Sequence, residues 1–432
     1  MRIVSFLLFF FSLTILSAQD TIRVMHYNLL YYGNSAFCSE NTNNTDLKDA
    51  YMRTILTYTK PDIITVNEMS YQSNFQERML SEVMNQSGYA LFAMAQAPNT
   101  AGENIVNQLY YNTEKLALHS QAVAQNMVRD IDVYRLYALD VGLESGDTIF
   151  LSCVVGHLKA GDNQSDQNDR AEMVENTLNY LEAQGPAGNY LFMGDFNFQE
   201  SSEEAFQLMI TNNDPVFRFY DPAEEIGNWH NNSAYRYVHT QSTRTAQAGN
   251  CGASGGMDDR FDFIMMNQAI HDGADRVGYI TDTYHALGQD GERFNGSIAD
   301  PPNTSIPAYV VDALLGMSDH LPVIMDLVIA EDLSVDDIRY PILDIRYSNP
   351  VQNELKLSFG HRGPGEGGSL APHLPISLSL TSTSGVTVHS QQASLSGGSA
   401  LSIDVSHLPS GFYILHIHSE SGYFTGKLLV IK

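Results

Sequence analysis

The chain has 432 residues, of which 43% are hydrophobic, so it is too long for one ordinary domain and can bury a sizeable core. Its 50 acidic and 23 basic residues give a formal net charge of −27, which argues against sequence-independent binding of nucleic acid through a basic face. The charge does not exclude a phosphate substrate held by a metal cation, because the ion then dominates the local field.

The first 18 residues have the composition of a secretory signal peptide. One arginine precedes a run rich in Phe, Leu and Ile, and the run ends in Ser17 and Ala18. A membrane anchor is the alternative, but the run is short for a membrane span and no later segment is typical of a membrane helix. The sequence therefore predicts cleavage after Ala18 and an exported protein without a permanent membrane span.

From residue 20 to about residue 330, short apolar segments alternate with amphipathic segments. Segments such as TIRVMHYNLL, DIITVNE, TIFLSCVVGHL and NYLFMGDFN have the composition of strands. LKDAYMRTILTYTK, FQERMLSEVMN and DQNDRAEMVENTLNYLEAQ have apolar residues at helical spacing. Several strands follow one another without a helix between them, which predicts an α/β fold with a mixed sheet or a pair of sheets.

The composition changes after an acidic stretch at residues 331–337, and we interpret residues 331–346 as a linker. Residues 347–432 are rich in Ser and Gly, with alternating segments such as ELKLSF, ISLSLTS and FYILHIHS. This pattern predicts a second, small all-β domain. Of the three cysteines, Cys153 lies in an apolar strand segment and is predicted to be a buried thiol. Cys38 and Cys251 lie in polar sequence and could form one disulfide bond in an oxidising compartment.

Polar residues that can bind a cation or transfer a proton follow many of the predicted strands. Each alone has an ordinary structural explanation, as a turn former, a helix cap or a core histidine. Together they indicate a site assembled from strand ends at one edge of an α/β scaffold. The residues are Asn28, Glu68, His157, Asp195, Asn197, Asp262, Ser318, Asp319 and His320.

This ordered set, with the segments GDFN, RFDF and SDHLPV, closely resembles the endonuclease/exonuclease/phosphatase superfamily, whose members include deoxyribonuclease I, exonuclease III and neutral sphingomyelinases. The resemblance covers about residues 20 to 330, and GDFN with a later SDH is its most specific part. It implies a four-layer α/β/β/α sandwich in which helices flank two packed sheets, with the site at one rim. It also implies metal-dependent hydrolysis of a phosphate ester.

The resemblance implies a metal site whose chemistry suits these residue types. Mg²⁺, or Mn²⁺ in its place, prefers oxygen ligands, neutralises charge on a phosphate and polarises the phosphoryl group. Glu68 is the first candidate ligand, with Asn28 and Asp319 beside it. His320 would take a proton from the attacking water, and Asp262 matches the position that orients this histidine.

The resemblance also implies groups that hold the substrate. His157 would donate to a non-bridging oxygen as charge develops there. Asp195 and Asn197 would hold the nucleophile and a phosphoryl oxygen, or bind a second ion. Two arginines, Arg244 and Arg260, are candidate phosphate contacts, although loop arginines are often only solvated.

The chain departs from the superfamily pattern at two positions. In deoxyribonuclease I-like members a carboxylate on a neighbouring strand orients the histidine that matches His157, whereas here the corresponding segment offers Asn107 and, further off, Glu103. Some DNA-repair relatives place an acidic residue two positions beyond Asn28, where this chain has Leu30. The carboxylate partner and the repair-type metal site therefore do not carry over in full.

The C-terminal domain resembles a type IX secretion sorting domain at YSNPVQNELKLSF and GFYILHIHSESGYFTGKLLVIK, although Ser348 replaces the first proline of the usual Tyr-Pro-Asn-Pro start. An immunoglobulin-like adhesion module is the alternative, and the position at the end of a chain with a signal peptide favours sorting. The resemblance implies contact with the secretion machinery, export across the outer membrane, and release or surface attachment with loss of this domain.

Three functions remain open from the sequence. The favoured expectation is a monomeric secreted nuclease acting on DNA or RNA, because the exposed apolar hairpin of a lipid enzyme is not evident. The alternatives are a sphingomyelinase-like phospholipid phosphodiesterase and a surface module without catalysis. The third is disfavoured because every principal catalytic residue type is present. A serine triad built on Ser318 and His320 is also disfavoured, because the two are only two positions apart and no nucleophile elbow is present.

Overall fold

The computed structural model describes residues 19–39, 41–139, 148–249, 251–330, 343–347, 351–361, 374–382, 387–395, 400–419 and 422–432. The predicted signal peptide, residues 1–18, and residues 331–342 of the predicted linker lie outside the described residues. The chain divides into two compact units, Met1–Leu333 and Ser334–Lys432.

The first unit alternates strands and helices, as its apolar segments predict. Its elements in chain order are β1 (Gln19–Tyr32), α1 (Thr45–Thr59), β2 (Ile63–Ser70), α2 (Ser73–Arg78), a π-helix (Met79–Met84), β3 (Phe92–Met94), β4 (Ile105–Asn112), β5 (Leu116–Gln125), β6 (Ile131–Ala138), β7 (Phe150–His157), α3 (Gln164–Gln184), β8 (Asn189–Asp195), α4 (Glu204–Ile210), β9 (Phe219–Tyr220), a 3-10 turn (Ser233–Tyr235), β10 (Asp262–Asn267), α5 (Gln268–Asp272), β11 (Val277–Tyr279), β12 (His285–Ala286), α6 (Ala308–Met317) and β13 (Val323–Ala330).

Two mixed sheets form the centre of this unit. The first has the strand order β11-β13-β1-β2-β4-β3, with β12 also paired to β13, and the second has the order β5-β6-β7-β8-β10-β9. In each sheet one pair is parallel, β1 with β2 and β7 with β8, and the other pairs are antiparallel. A parallel pair needs a crossover connection, which α1 supplies in the first sheet and α3 in the second.

The two sheets pack face to face with helices outside them. Along β8, Leu191 and Met193 belong to the core shared with the first sheet, whereas Tyr190 and Phe192 pack with residues of α3 and α4. The buried residues of α1 and α6 pack with those of the first sheet. This alternation gives the layer order α/β/β/α, and it confirms the fold class that the sequence predicts for this unit.

The second unit is all-β, also as predicted. Its strands are β14 (Leu343–Tyr347), β15 (Glu354–His361), β16 (Leu374–Ser382), β17 (Thr387–Leu395), β18 (Ala400–Asp404), β19 (Gly411–Ser419) and β20 (Gly422–Val430). They form a three-stranded sheet, β14-β15-β18, and a four-stranded sheet, β17-β16-β19-β20, whose apolar residues share one core. Within the described part of the chain, no helix is long and apolar enough to cross a membrane.

One disulfide links two loops of the first unit. Cys38, between β1 and α1, is bonded to Cys251, and their Cα atoms are 4.9 Å apart. Cys153 on β7 is a buried free thiol, and its burial raises the pKa to about 12. The pairing that the sequence left open is therefore present in the structure.

Candidate active site

The strand pairing brings polar residues of both sheets to one edge of the sandwich. His157, the last residue of β7, is in register with Asp195, the last residue of β8. Asp262, the first residue of β10, lies opposite Asp195 on the other side of β8. In the first sheet, Asn28 of β1 is in register with Asn67 of β2. These residues lie close together because their strands end, or have irregular pairing, at the same edge of the sandwich.

Unusual backbone conformations occur at the same edge. Glu68 has φ of 57°, a left-handed conformation that costs a residue with a Cβ about 1–2 kcal/mol, and the pairing of β2 with β4 is irregular between Val66 and Met69. Gly194 passes so close to its parallel neighbour that a Cβ would lie 1.8 Å from the carbonyl oxygen of Gly156. Strain at such positions is typical of functional sites, where the surrounding structure enforces it.

His320 forms a buried pair with Asp262. Its Nδ1 lies 2.7 Å from Asp262 Oδ2, and its Nε2 lies 2.6 Å from Nε2 of Gln241 and 3.8 Å from Asp195 Oδ2. When Nδ1–H donates to the carboxylate, Nε2 is left as a proton acceptor. Burial opposes charge on this ring, but the carboxylates of Asp262 and Asp195 outweigh it and raise the pKa of His320 well above its ordinary value.

Carboxylates cluster beside this pair. Asn28 Nδ2 donates to Glu68 Oε1 at 3.2 Å and to Asp195 Oδ2 at 2.9 Å. Burial and then the charge of Asp319 raise the pKa of Glu68, while burial with neighbouring carboxylates raises the pKa of Asp195 to about 7. One possible ligand atom from each of Glu68, His157 and Asp195 lies within 4.8 Å of the other two. These groups form a candidate metal site.

The loops around the cluster hold two further predicted residues. Asp319 Oδ2 accepts a hydrogen bond from the backbone N–H of Ala253 at 2.6 Å. Asn197 is buried with φ of 53°, and its backbone N–H donates to Asp195 Oδ1 at 3.2 Å. Its side-chain Nδ2 donates to the carbonyl oxygen of Leu158 at 3.4 Å. Asn197 thus contacts Asp195 directly, and Asp319 is near enough to Glu68 for its charge to act on that carboxylate.

His157 is buried with its Nε2 3.5 Å from Asp195 Oδ2. Burial, and then the positive charge of Arg129, hold the pKa of His157 well below its ordinary value, so the ring is neutral at physiological pH. Among the described residues, neither Asn107 nor Glu103 forms a hydrogen bond with this ring. The carboxylate that orients the matching histidine in deoxyribonuclease I-like proteins is thus not replaced by either residue.

Asn107 instead belongs to a buried polar chain beneath the site. Its Nδ2 donates to Asp132 Oδ2 at 2.9 Å, and its Oδ1 accepts from Asn67 Nδ2 at 2.7 Å. Asn67 Oδ1 in turn accepts the backbone N–H of Asp195 at 2.8 Å. Burial raises the pKa of Asp132 to about 8. This series of hydrogen bonds connects both sheets to the backbone of Asp195, a candidate catalytic residue.

Two site residues were not predicted from the sequence. Arg129, in the turn between β5 and β6, lines a small cleft with Glu68, Asn107 and His157, and its Nη1 donates to the Leu158 carbonyl at 3.0 Å. Gln241 contacts His320 as described above. No strand pattern marks either residue, because each lies in a loop, although Gln241 falls within the segment HTQSTR that holds the predicted Arg244.

The two arginines that the sequence offers as phosphate contacts both have partners within the protein. Arg260 is fully buried, and its guanidinium forms two hydrogen bonds of 2.8 and 2.6 Å with Asp221. Arg244 donates to the backbone carbonyls of Leu315, at 2.5 Å, and Ser318, at 3.5 Å. Asp221 thus holds the Arg260 guanidinium in the interior, away from any substrate, whereas the half-buried Arg244 stays a candidate phosphate contact.

The two units match different kinds of known protein. Residues 346–432 match the family model described as a secretion system C-terminal sorting domain, which confirms the resemblance seen at this end of the sequence. No curated protein sequence matches the chain.

Solved structures similar to this chain include proteins named for the superfamily that the motifs resemble. An endonuclease/exonuclease/phosphatase family protein from Bacteroides thetaiotaomicron is 12% identical over 73% of this chain and 97% of its own, with a TM-score of 0.45. TDP2 from D. rerio, complexed with a single-strand DNA product, is 14% identical over 71% and 99%, with a TM-score of 0.44. A mannosyl-6-phosphatase from Bacteroides thetaiotaomicron VPI-5482 is 12% identical over 71% and 99%, with a TM-score of 0.42.

Proposed function

We propose that the first unit is a secreted, metal-dependent phosphoesterase that hydrolyses phosphodiester bonds, with extracellular nucleic acid as its substrate. One observation carries this proposal: Asp195 Oδ2 lies 3.8 Å from Nε2 of His320, which is held by Asp262, and 3.5 Å from Nε2 of His157. A proton acceptor and a group of metal-ligand atoms therefore meet at one carboxylate. Hydrolysis of an anionic ester needs both.

The residues present fit a hard divalent cation such as Mg²⁺ or Mn²⁺. Glu68 and Asp195 are adjacent carboxylates with raised pKa values, and no lysine or arginine in the described part of the chain forms an ion pair with either. Asp319 adds a third negative charge beside Glu68. Glu68, Asp195 and Asp319 would hold the cation, and Asn28 would position the first two carboxylates. When bound, such an ion neutralises charge on the phosphate and polarises the phosphoryl group.

The side chains of the protein carry out the proton transfer and bind the substrate. In its neutral form, His320 accepts a proton at Nε2 from the attacking water, and Asp262 stabilises the imidazolium that forms. Asp195 accepts a hydrogen bond from the same water and orients it. His157, being neutral, donates a ring N–H to a non-bridging oxygen, and Arg129 offers a guanidinium to the same phosphate.

Export is the second part of the proposal. The match of residues 346–432 to a sorting-domain family supports passage through the type IX secretion machinery to the cell surface or the medium. The signal-peptide composition of residues 1–18 fits the first step of that route. An enzyme delivered to this compartment would meet nucleic acid released by other cells.

The test is hydrolysis by the purified protein, with Mg²⁺ or Mn²⁺, of plasmid DNA, single-stranded DNA, RNA, sphingomyelin and a sugar phosphate. We expect the nucleic acids to be cleaved, and His320→Ala to lower the rate by a factor on the order of 10² or more. His285→Ala is the control, because His285 is an exposed histidine on β12. Hydrolysis of only sphingomyelin or sugar phosphate would refute the nuclease assignment, and hydrolysis of no ester would refute the whole proposal.

A further inference from the structure

Two aromatic side chains lie beside the candidate metal ligands without belonging to the catalytic set. The backbone N–H of Tyr31, near the end of β1, donates to Glu68 Oε2 at 3.0 Å. The rings of Tyr31 and Phe37 pack together, with centroids 4.9 Å apart and planes inclined at 35°. Phe37 is 63% exposed, so an aromatic surface meets solvent next to the site.

The surroundings of the Tyr31 phenol place this pair among the charged groups of the site. Burial, and then the charge of Glu68, raise the pKa of Tyr31 to about 12, and Arg129, Asp319 and Asp195 also act on the hydroxyl. The Tyr31 side chain therefore lies within electrostatic range of the candidate metal ligands and of Arg129.

The disulfide fixes the position of the pair. Phe37 precedes Cys38, and Tyr31 packs against the apolar cluster that contains Cys38 and Cys251. Two residues after Cys251, the backbone N–H of Ala253 donates to the Asp319 carboxylate. One cross-link thus supports both the aromatic pair and a candidate metal ligand, and such pre-organisation lowers the entropy cost of binding.

A planar base suits this surface better than a lipid chain does. A net charge of −27 argues against a basic face that would bind phosphates outside the metal site, whereas stacking on an aromatic ring is open to any base. Ser35, Ala36 and Ser39 around Phe37 are exposed and small. A surface that inserts into a bilayer needs instead a contiguous apolar patch.

We propose that Phe37 and Tyr31 form a stacking site for a nucleobase that adjoins the scissile phosphate. The site selects unpaired nucleotides, because the faces of bases in a duplex are already stacked on their neighbours. The inference rests on the phosphodiesterase function proposed above and assigns its substrate class as single-stranded nucleic acid.

The test uses a substrate with a single phosphodiester bond. The full-length protein and its variants are assayed on a dinucleotide of two thymidines and on two analogues, each with an abasic tetrahydrofuran sugar on one side of the phosphate. Phe37→Leu removes the aromatic ring and keeps an apolar side chain, and Phe37→Trp restores a ring. Tyr309→Leu is the matched control, because Tyr309 is 60% exposed and lies at the start of α6.

We expect Phe37→Leu to lower kcat/KM on the dinucleotide about tenfold, mainly through KM, which is within the range of stacking one base on one aromatic ring. Activity on one of the abasic analogues should be unchanged by this substitution, Phe37→Trp should recover the loss, and Tyr309→Leu should resemble the unmodified protein on all three substrates. Melting temperatures of all variants should agree, because the Phe37 ring is mostly exposed.

Two results would overturn the stacking site alone: unchanged kinetics of Phe37→Leu on the dinucleotide, or an equal loss on the dinucleotide and both analogues. A protein that hydrolyses another phosphate ester but no nucleotide substrate would instead refute the nucleic-acid substrate itself, and the stacking site with it.

Discussion

Replacing Asp262 with asparagine should disable His320 with little change in packing, because the two side chains have nearly the same shape. Asp262 is fully buried, and its Oδ2 lies 2.7 Å from His320 Nδ1. An amide at this position removes the negative charge that stabilises the imidazolium and no longer enforces the tautomer with a free Nε2. A hydrogen bond to a charged group contributes about 1.5–3 kcal/mol, so kcat should fall roughly 10- to 150-fold from this loss alone.

The assay is kcat and KM as a function of pH, with melting temperature as a check on folding. The base must be unprotonated, so the rate falls when the pH drops below the pKa of His320. The carboxylate of Asp262 raises that pKa, and its removal should move the acidic limb of the profile to lower pH. Asp326→Asn is the control, since Asp326 pairs with Arg23 at 2.7 Å outside the site. A kcat within twofold of the unmodified value, with an unmoved limb, would contradict the assignment of the base.

Three further predictions concern stability, redox state and export. In the folded protein the pKa of Asp132 is raised to about 8, so the carboxyl keeps its proton at pH values where the unfolded chain has lost it. The free energy of unfolding should therefore decrease as pH rises from about 5 to 8, by at most about 1.4 kcal/mol per pH unit. Asp132→Asn should flatten this pH dependence in melting curves. Reduction of the disulfide bond between Cys38 and Cys251 should lower the free energy of unfolding by about 2–4 kcal/mol and should reduce activity. The Cys153→Ser variant is the control and should be as sensitive to reductant as the unmodified protein. If reductant left the activity of both proteins unchanged, the disulfide would have no role in activity. A chain that ends at Ala330 should keep its hydrolytic activity but stay inside host cells on fractionation, and its appearance in the medium would show that the second unit is not the sorting signal.

The sequence predicts the site residues that lie on strands, because runs of apolar residues show where each strand ends. His157 and Asp195 close adjacent parallel strands in register, and Asp262 opens the next, so three side chains meet through pairing alone. Glu68 also follows this logic, although its side chain reaches the site from an irregular, left-handed position within β2 rather than beyond the strand.

The loop-borne part could not be predicted in the same way. Arg260 looked available because nothing in the sequence pairs it with Asp221, which lies 39 positions away. Arg129 and Gln241 reach the site because of the conformation of their loops, and the spacing of apolar residues does not predict loop conformation. Burial decided the outcome at Arg260, since a buried guanidinium must find a partner and then has no capacity left for substrate.

The central claim, metal-dependent hydrolysis at the carboxylate cluster, is tested most directly by titrating the chelated protein with Mg²⁺ and with Mn²⁺ while following hydrolysis. Metal-dependent hydrolysis predicts no activity in excess chelator and recovery on adding either ion. It also predicts that Glu68→Gln needs at least about tenfold more metal for half of its maximal rate, with an unchanged melting temperature in the absence of metal. Full activity in excess chelator, or an identical metal requirement for Glu68→Gln, would contradict it.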